Sequence, residues 1–268
     1  MGDQPASPGE RWRIRRFDEI DSTNRFALDA ARVGEAPGLV VVADHQRAGR
    51  GRRGRTWTAA PGSSLLVSAL VRPPVEAERL HLVTMAGALA LLDAVAAVGG
   101  FEAELKWPND LMVGDRKLAG VLAEADVTSG GEVRAVVVGV GCNVSWGGLA
   151  PELAATATAC DREAGHPIDR AELLGVFLDR FAGRLDGFDD LATAYRDRLA
   201  TLGRAVRVEL ARDTLEGIAV DVDELGRLRV DTAAGAVVVA AGDVVHLRGL
   251  TDPGSTPPAA GRPPPGDG

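Results

Sequence analysis

The sequence predicts an α+β protein: a larger domain of interspersed strands and helices, then a small antiparallel β unit. Three observations carry this. Between residues 12 and 202, short β-branched or alternating runs are interleaved with helical patterns that carry Ser, Thr or Gly at their ends. From Gly203 the texture changes to short alternating strands separated by Asp/Gly turns, and roughly 45 residues of that pattern suit a small antiparallel barrel. The two ends, 1–11 and 250–268, are polar or Pro/Gly-rich with little to bury, and such composition does not build a core. The expected organisation is therefore an N-terminal tail (1–11), a catalytic-sized domain (12–202), a small β domain (203–249) and a Pro/Gly-rich tail (250–268).

The elements follow in order. "RWRIRRFDEI" alternates as a strand does and runs into "DSTNRFALDAARVG". There Ser22 or Thr23 caps a helix, Phe26, Ala27 and Ala30 share a face, and Gly34 ends it. "GLVVVADHQ" and "SSLLVSALVRP" read as buried strands, the second stopped by Pro73-Pro74. A long helix is expected from Glu76 to Val98, closed by Gly99-Gly100. "AELKWPNDLMVGDRKLAGVLAEA" reads as a strand to Lys106, a Pro-Asn-Asp turn, and two strands joined at Gly114-Asp115. "RAVVVGVGCNVSW" is an apolar strand in which Gly139 and Gly141 call for close approach by a ligand or another backbone. Two helices complete the domain, Arg170–Leu185 and Asp189–Leu202.

Composition narrows the classes of function. With 30 Lys and Arg against 38 Asp and Glu, the net charge is −8, which argues against a general nucleic-acid binder. Two cysteines offer one bridge at most and no disulfide framework. No basic leader precedes an apolar run, and no apolar stretch approaches about 18 residues without a charge. "MAGALALLDAVAAVGG" comes nearest and reads as a core helix, so no membrane contact is expected and the location expected is cytoplasmic.

Against this acidic background, "QRAGRGRRGRTW" (Gln46–Trp57) concentrates five arginines and three glycines. Mutually repelling guanidiniums on a permissive backbone suit either a solvated basic loop or a flap that orders over a small anion. It contains a GxGxxG match, but a dinucleotide fold does not place arginines there, and the P-loop pattern is absent. "KWPND" (Lys106–Asp110) is a rigid turn that holds Lys106 and Asp110 in place, and Lys117 in "RKLAGVLAE" lies in an apolar strand where its ammonium needs an anionic partner. "DSTN" (Asp21–Asn24) caps a helix or presents hydroxyls to a polar ligand.

Taken together and in this order, "DSTN", the arginine–glycine loop, "KWPND", "RKLAGVLAE", "GVGCNV" and the closing "GDVVHLR" closely resemble the biotin protein ligases, over about Arg13 to Arg248. The resemblance implies a mixed sheet with flanking helices, similar to class II aminoacyl-tRNA synthetases and lipoate ligases, followed by a Src-homology-3-like β-barrel. It implies biotin and ATP as substrates with Mg2+, biotinyl-5′-AMP as intermediate, and transfer to a lysine of a biotin carboxyl carrier protein. By motif position, Ser22, Thr23, Asn24 and Gln46 belong to the biotin ureido end. Arg50, Gly51 and Arg52 belong to the loop over biotin and the adenylate. Lys117 belongs to the carboxylate and acyl phosphate, and Arg55, Trp57 and Asn143 to the nucleotide. Asp110 is expected to orient the acceptor amine and Lys106 to contact phosphate. Cys142 stands where the family commonly has an aliphatic residue. No metal cage is expected from the protein, because four scattered histidines do not make one and ATP phosphates carry the ion.

The few residues before the first strand leave no room for the winged helix-turn-helix of some relatives, so a monofunctional ligase without DNA binding is expected. Family members include monomers and homodimers, and the residues do not choose between them. Three rivals are a lipoate or octanoyl ligase on the same core, a nucleic-acid-binding regulator using Arg47–Arg55, and a catalytically dead biotin-sensing protein, against which the presence of Arg52 and Lys117 counts. The ureido ring needs polar contacts that a dithiolane does not, and the regulator lacks a second basic stretch.

Overall fold

The computed structural model describes residues 11–73, 76–210, 213–240 and 242–247. Residues 1–10 of the first tail, the second tail, and Pro74 of the Pro-Pro stop lie outside them. Seven strands form one mixed sheet: β1 (Arg13–Ile20), β2 (Leu39–Gln46), β3 (Ser64–Val71), β4 (Glu104–Lys106), β5 (Asp110–Val113), β6 (Arg116–Val127) and β7 (Val133–Asn143). Their order is β1-β2-β3-β7-β6-β5-β4, with β1 and β2 parallel and the other pairs antiparallel.

One face of this sheet is covered by α2 (Leu80–Gly99), which packs on α4 (Arg170–Leu185). α2 is apolar all round, the pattern of a helix enclosed by neighbours, and Gly100 closes it in the left-handed conformation with φ 66°. Its first turn, Ala77–Arg79, is a 3-10 turn rather than α-helix. By length and composition the segment Ala77–Gly99 could cross a membrane, yet 72% of its apolar window is buried inside the fold. It is the core helix of this protein.

The other face is covered only in part, by α1 (Thr23–Arg32). Ser22 caps it by accepting from Arg25 N. Its buried face is Thr23, Asn24, Ala27, Leu28 and Ala31, rotated from the expected Phe26/Ala27/Ala30. Phe26 instead lies against Phe17 of β1 with ring centroids 5.0 Å apart, because the polar residues at the helix start are drawn inward.

A short helix not expected from the sequence, α3 (Cys160–Ala164), follows β7. α5 (Leu191–Arg196) is shorter than the predicted 189–202. The chain leaves the helix to extend the sheet edge: Leu105 N donates to Arg198 O, Ala200 N donates to Leu105 O, and Trp107 N donates to Thr201 Oγ1.

The remaining strands, β8 (Ala205–Glu209), β9 (Thr214–Val222), β10 (Leu228–Thr232), β11 (Gly235–Val239) and β12 (Asp243–His246), form an antiparallel sheet ordered β11-β10-β9-β8-β12. Val206, Val208, Leu228 and Val244 of this sheet belong to the same apolar cluster as α2, so its core is continuous with that of the larger sheet. Cys142 and Cys160 are buried in that cluster as free thiols, Sγ to Sγ 3.7 Å.

The seam between the sheets also carries a titratable group. His246 Nε2 lies 3.3 Å from Thr201 Oγ1, and Arg204 Nη1 lies 3.4 Å from Nδ1. Burial, then the Lys106 and Arg204 charges, pushes the His246 pKa down to about 4. An unfolded histidine titrates near 6.5, so between those values the unfolded chain binds a proton that the folded chain refuses. The contribution of His246 is therefore complete above about pH 6.5 and is lost as pH falls toward 4. Melting temperature measured from pH 7 to 4 should fall less steeply in His246→Gln than in wild type. Identical slopes would remove His246 from the account.

Candidate functional site

The uncovered part of the sheet is where the site lies. Along β7, Ala135 and Val137 pack under α1, whereas Val138, Val140 and Cys142 point the other way, toward α2. The next residues on the α1 side are Gly139 and Gly141. They floor a cavity of about 690 Å³, open mouth included. A Cβ at Gly139 would overlap the Asn24 amide, and one at Gly141 would come within 2.6 Å of Trp57 Cε2. The close approach expected at these glycines is thus made by side chains, not by a second backbone.

One end of the cavity is polar, its hydroxyls and amides backed by the Glu124–Arg50 ion pair. Thr23 N and Thr23 Oγ1 donate to Gln46 Oε1 at 2.8 and 3.0 Å. Because a backbone N–H must donate, this fixes the Gln46 amide with its oxygen toward the helix and its NH2 turned away. Asn24 Nδ2 donates to Leu122 O (3.2 Å) and Glu124 Oε2 (2.8 Å), and Asn24 Oδ1 accepts from Ser68 Oγ. Ser22, Thr23 and Asn24 are all buried.

The other end is cationic. Lys117 Nζ donates to Asp110 Oδ1 at 2.6 Å and sits 5.7 Å from the Trp57 ring centroid, which supplies the anionic partner that the apolar strand required. A bulge puts Lys117 on this face. The β5–β6 register slips between Leu111 and Met112, pairing Leu111 with Ala119 but Met112 with Lys117. Strict alternation would send Lys117 into the core beside Ala119; the extra residue, Leu118, turns it to the side of Gly120. A Cβ on Gly120 would stand 3.2 Å from Lys117 Nζ, so this glycine keeps room for the ammonium.

Over the cavity runs the arginine loop. Gly51 N donates to Arg55 O and Trp57 N to Gly49 O, at 2.7 and 3.0 Å. The residues between turn through Arg53 and Gly54 at φ 54° and 75°, a backbone region that Gly enters freely. The five arginines are not left to repel one another. Arg47 pairs with Asp21 and Glu19, and Arg50 with Glu124 at 2.9 Å. Arg52 donates to Asn109 Oδ1 and Gly242 O, and Arg55 pairs with Asp243 at 2.7 Å. The Arg52 pKa is lowered by burial, an effect that Asp243 and Asp110 oppose. The positive charge that the sequence leaves unmatched thus meets carboxylates brought from far along the chain.

Of the residues singled out from the sequence, the cavity gathers Ser22, Thr23, Asn24, Gln46, Arg50, Gly51, Arg52, Arg55, Trp57, Asp110 and Lys117. Lys106 and Asn143 are not on its wall. Lys106 pairs across β4 and β5 with Asp110, its pKa lowered by burial with Asp110 opposing. Asn143 is buried at the end of β7, donating from Nδ2 to Thr158 O at 2.9 Å. Among the described residues no three His, Cys, Asp or Glu come together as metal ligands.

Residues 17–143 match the biotin/lipoate A/B protein ligase family, and residues 201–247 match the biotin protein ligase C-terminal domain. A biotin–[acetyl-CoA-carboxylase] ligase of Mycobacterium tuberculosis is 39% identical, with 92% of this chain and 94% of that protein covered. The chain belongs to the biotin protein ligase family. A second member of the family, the Paracoccus denitrificans biotin–[acetyl-CoA-carboxylase] ligase, is 35% identical over 84% of this chain and 96% of its own. Among solved structures, the Aquifex aeolicus biotin protein ligase in complex with biotin and ATP superposes with a TM-score of 0.76 at 27% identity, covering 88% of this chain and 99% of that one.

The family resemblance did not point to several residues that hold this site together. Ser68 and Glu124 tie Asn24 in place, and Glu124 also holds Arg50. Alternation from Gly120 through Leu122 to Glu124 was a legible signal for the latter. Asn109 was in view within KWPND, and its Nδ2 donates to Val121 O at 2.7 Å while its Oδ1 receives Arg52. Tyr195, fully buried, donates to Pro108 O at 2.7 Å and fixes the turn, whose Trp107–Pro108 peptide is cis. No local sequence signal marks Tyr195, and Asp243 was in view only as the second residue of the closing GDVVHLR.

Proposed function

We propose that this chain performs the two half-reactions of a biotin protein ligase in the cavity between the glycine floor and the arginine loop. One observation carries the reading. A hydrogen-bonding group of Ser22, Thr23, Asn24 and Gln46 and the Lys117 ammonium line one cavity together with Gly120, Leu122, Gly139 and Gly141, which bring no charge of their own. That lining suits a molecule with a neutral polar head, an aliphatic middle and a carboxylate tail, as biotin has.

Ser22, Thr23 and Gln46 take the ureido group, with Asn24 holding them in register through Ser68. Lys117 and Arg52 take the carboxylate, and Arg50, held by Glu124 beside Asn24, closes the loop over biotin. In the first half-reaction a carboxylate oxygen attacks the α-phosphorus of ATP. The new O–P bond forms as the bond to the β-phosphate bridge breaks and pyrophosphate departs. Both reacting groups are anions, so fixed cations in a partly dried site lower the barrier most. Arg55 and Trp57 line the nucleotide side, with Asn143 behind them. Mg2+ arrives on the ATP phosphates, since Asp110 is the one carboxylate among the lining residues and Lys117 already engages it.

In the second half-reaction the amine of a carrier-domain lysine attacks the acyl carbon. The amide C–N bond forms, the C–O bond to phosphate breaks, AMP leaves, and the amine proton is lost. Asp110 orients that amine and Lys106 supports the phosphate field. The acceptor is a biotin carboxyl carrier domain.

The seven-stranded sheet with its helices (12–202) is the catalytic domain, related in plan to class II aminoacyl-tRNA synthetases. The five strands that follow (203–249) are a Src-homology-3-like barrel in this reading. The enzyme works in the cytoplasm. Incubation with ATP, Mg2+, labelled biotin and a carrier domain should yield a carrier band on a streptavidin blot. Labelling with lipoate and not with biotin would keep the fold and overturn the substrate.

A further inference from the structure

The arginine loop is docked on the C-terminal sheet, about 190 residues away in sequence, and the contact is built rather than incidental. Asp243 opens β12, where it pairs with Glu209 at the end of β8. From this one rim, Glu209 O and Leu210 O accept from Arg53 at 2.6 and 3.0 Å, and Gly242 O accepts from Arg52 at 3.2 Å. The Asp243 carboxylate receives Arg55 Nη2 at 2.7 Å and faces Arg53 Nη1 at 3.6 Å and Arg52 Nη1 at 3.9 Å. A Cβ at Gly242 would stand 2.7 Å from Val208 Cγ1, so a side chain there would push the rim away from the loop.

We propose that Asp243 is the catch that holds the arginine loop shut over the cavity, making the C-terminal sheet part of the active-site lid. Resting on the ligase reading above, this gives that sheet a role in the retention of the intermediate. Three guanidiniums meet one carboxylate, so the catch neutralises part of the loop's charge and leaves an excess over the cavity. A ligand anion therefore adds to the closed arrangement and does not have to displace Asp243 to be held.

The consequence lies in the fate of the acyl adenylate. Its acyl carbon is open to any amine: a C–N bond forms, the C–O bond to phosphate breaks, AMP departs with the electron pair, and the amine proton goes to water. A loop that stays shut until the carrier docks keeps that reaction off bystander lysines. Asp243 acts through the arginines and is a positioning residue.

Two readouts test this in the full-length protein. Without any substrate, trypsin should cut after Arg50, Arg52 or Arg53 about tenfold faster in Asp243→Asn than in wild type, the factor expected from one partly exposed charge-assisted hydrogen bond. Asp243→Glu should restore protection. With biotin, ATP and serum albumin as a bystander, Asp243→Asn should raise albumin labelling relative to carrier labelling by a similar factor. Arg55→Gln removes the same ion pair from the loop side and should open the loop likewise, which covers the case of an Asp243 variant that does not fold. Unchanged cleavage in both variants would overturn the proposal. So would a lower KM for ATP with no added albumin labelling, the mark of a carboxylate that merely competes with phosphate. If nothing is labelled by wild type, the ligase reading fails, while the trypsin result still decides the catch.

Discussion

Replacing Lys117 by Ala should slow adenylate formation by about 10²–10³-fold, the usual cost of losing one fixed donor at a site where charge develops. Two losses combine. The substitution removes an ammonium from the end of the cavity that meets the carboxylate, and it strips Asp110 of its 2.6 Å partner. An unpaired carboxylate then faces two incoming anions. Because the second loss acts on approach of charge, kcat should fall more than biotin KM rises. Lys117→Arg should recover little, since Gly120 and the Trp57 ring shape the space for a compact ammonium. Arg52→Ala should give a comparable loss by a different route, freeing Asn109 Oδ1 and Gly242 O as well as removing charge. Pyrophosphate release with biotin and ATP alone, without carrier, isolates this step. Rates within threefold of wild type for both variants would place the chemistry elsewhere.

Gly139→Ala should cost about 1–3 kcal/mol of stability, as overpacking in a tight interior does, and should abolish most biotin binding. The added Cβ overlaps the Asn24 amide. That amide cannot swing aside freely, because Ser68, Leu122 O and Glu124 hold it. Relief requires the start of α1 to move, and with it Thr23, the residue that orients Gln46. Gly147→Ala is the control: nothing lies within 4 Å of a Cβ there, so its effect should stay within about 0.5 kcal/mol. Thermal melts and calorimetric titration with biotin read both quantities. A Gly139→Ala protein that matches Gly147→Ala in melting and binding would refute the glycine-floor account.

Much of this fold was legible because each element carries its own local reason. β2 and β3 are β-branched or leucine-rich runs bounded by Gly and Pro, α2 is a long, mostly apolar stretch ended by two glycines, and α4 starts at Asp169, whose carboxylate accepts from Ala171 N. Local reasons failed where a distant partner took over. Residues 197–202 left the helix because β4 offered backbone bonds. The buried face of α1 rotated because Asn24 had acceptors at Leu122 and Glu124 across the sheet.

The site divides along the same line. By itself the sequence determined that an acidic chain carries a cationic glycine loop, a rigid KWPND turn, a lysine in need of an anion and a capped helix start, and these motifs in order identified the family. Only the tertiary structure decided that a bulge turns Lys117 outward, that Gly139 and Gly141 floor the cavity, and that Asp243 and Glu124 are the counter-charges of the loop. The physical reason is range. Capping, turn chemistry and periodicity act over a few residues and are written locally, whereas the placement of a charge against its partner depends on sheet register and on how two sheets meet.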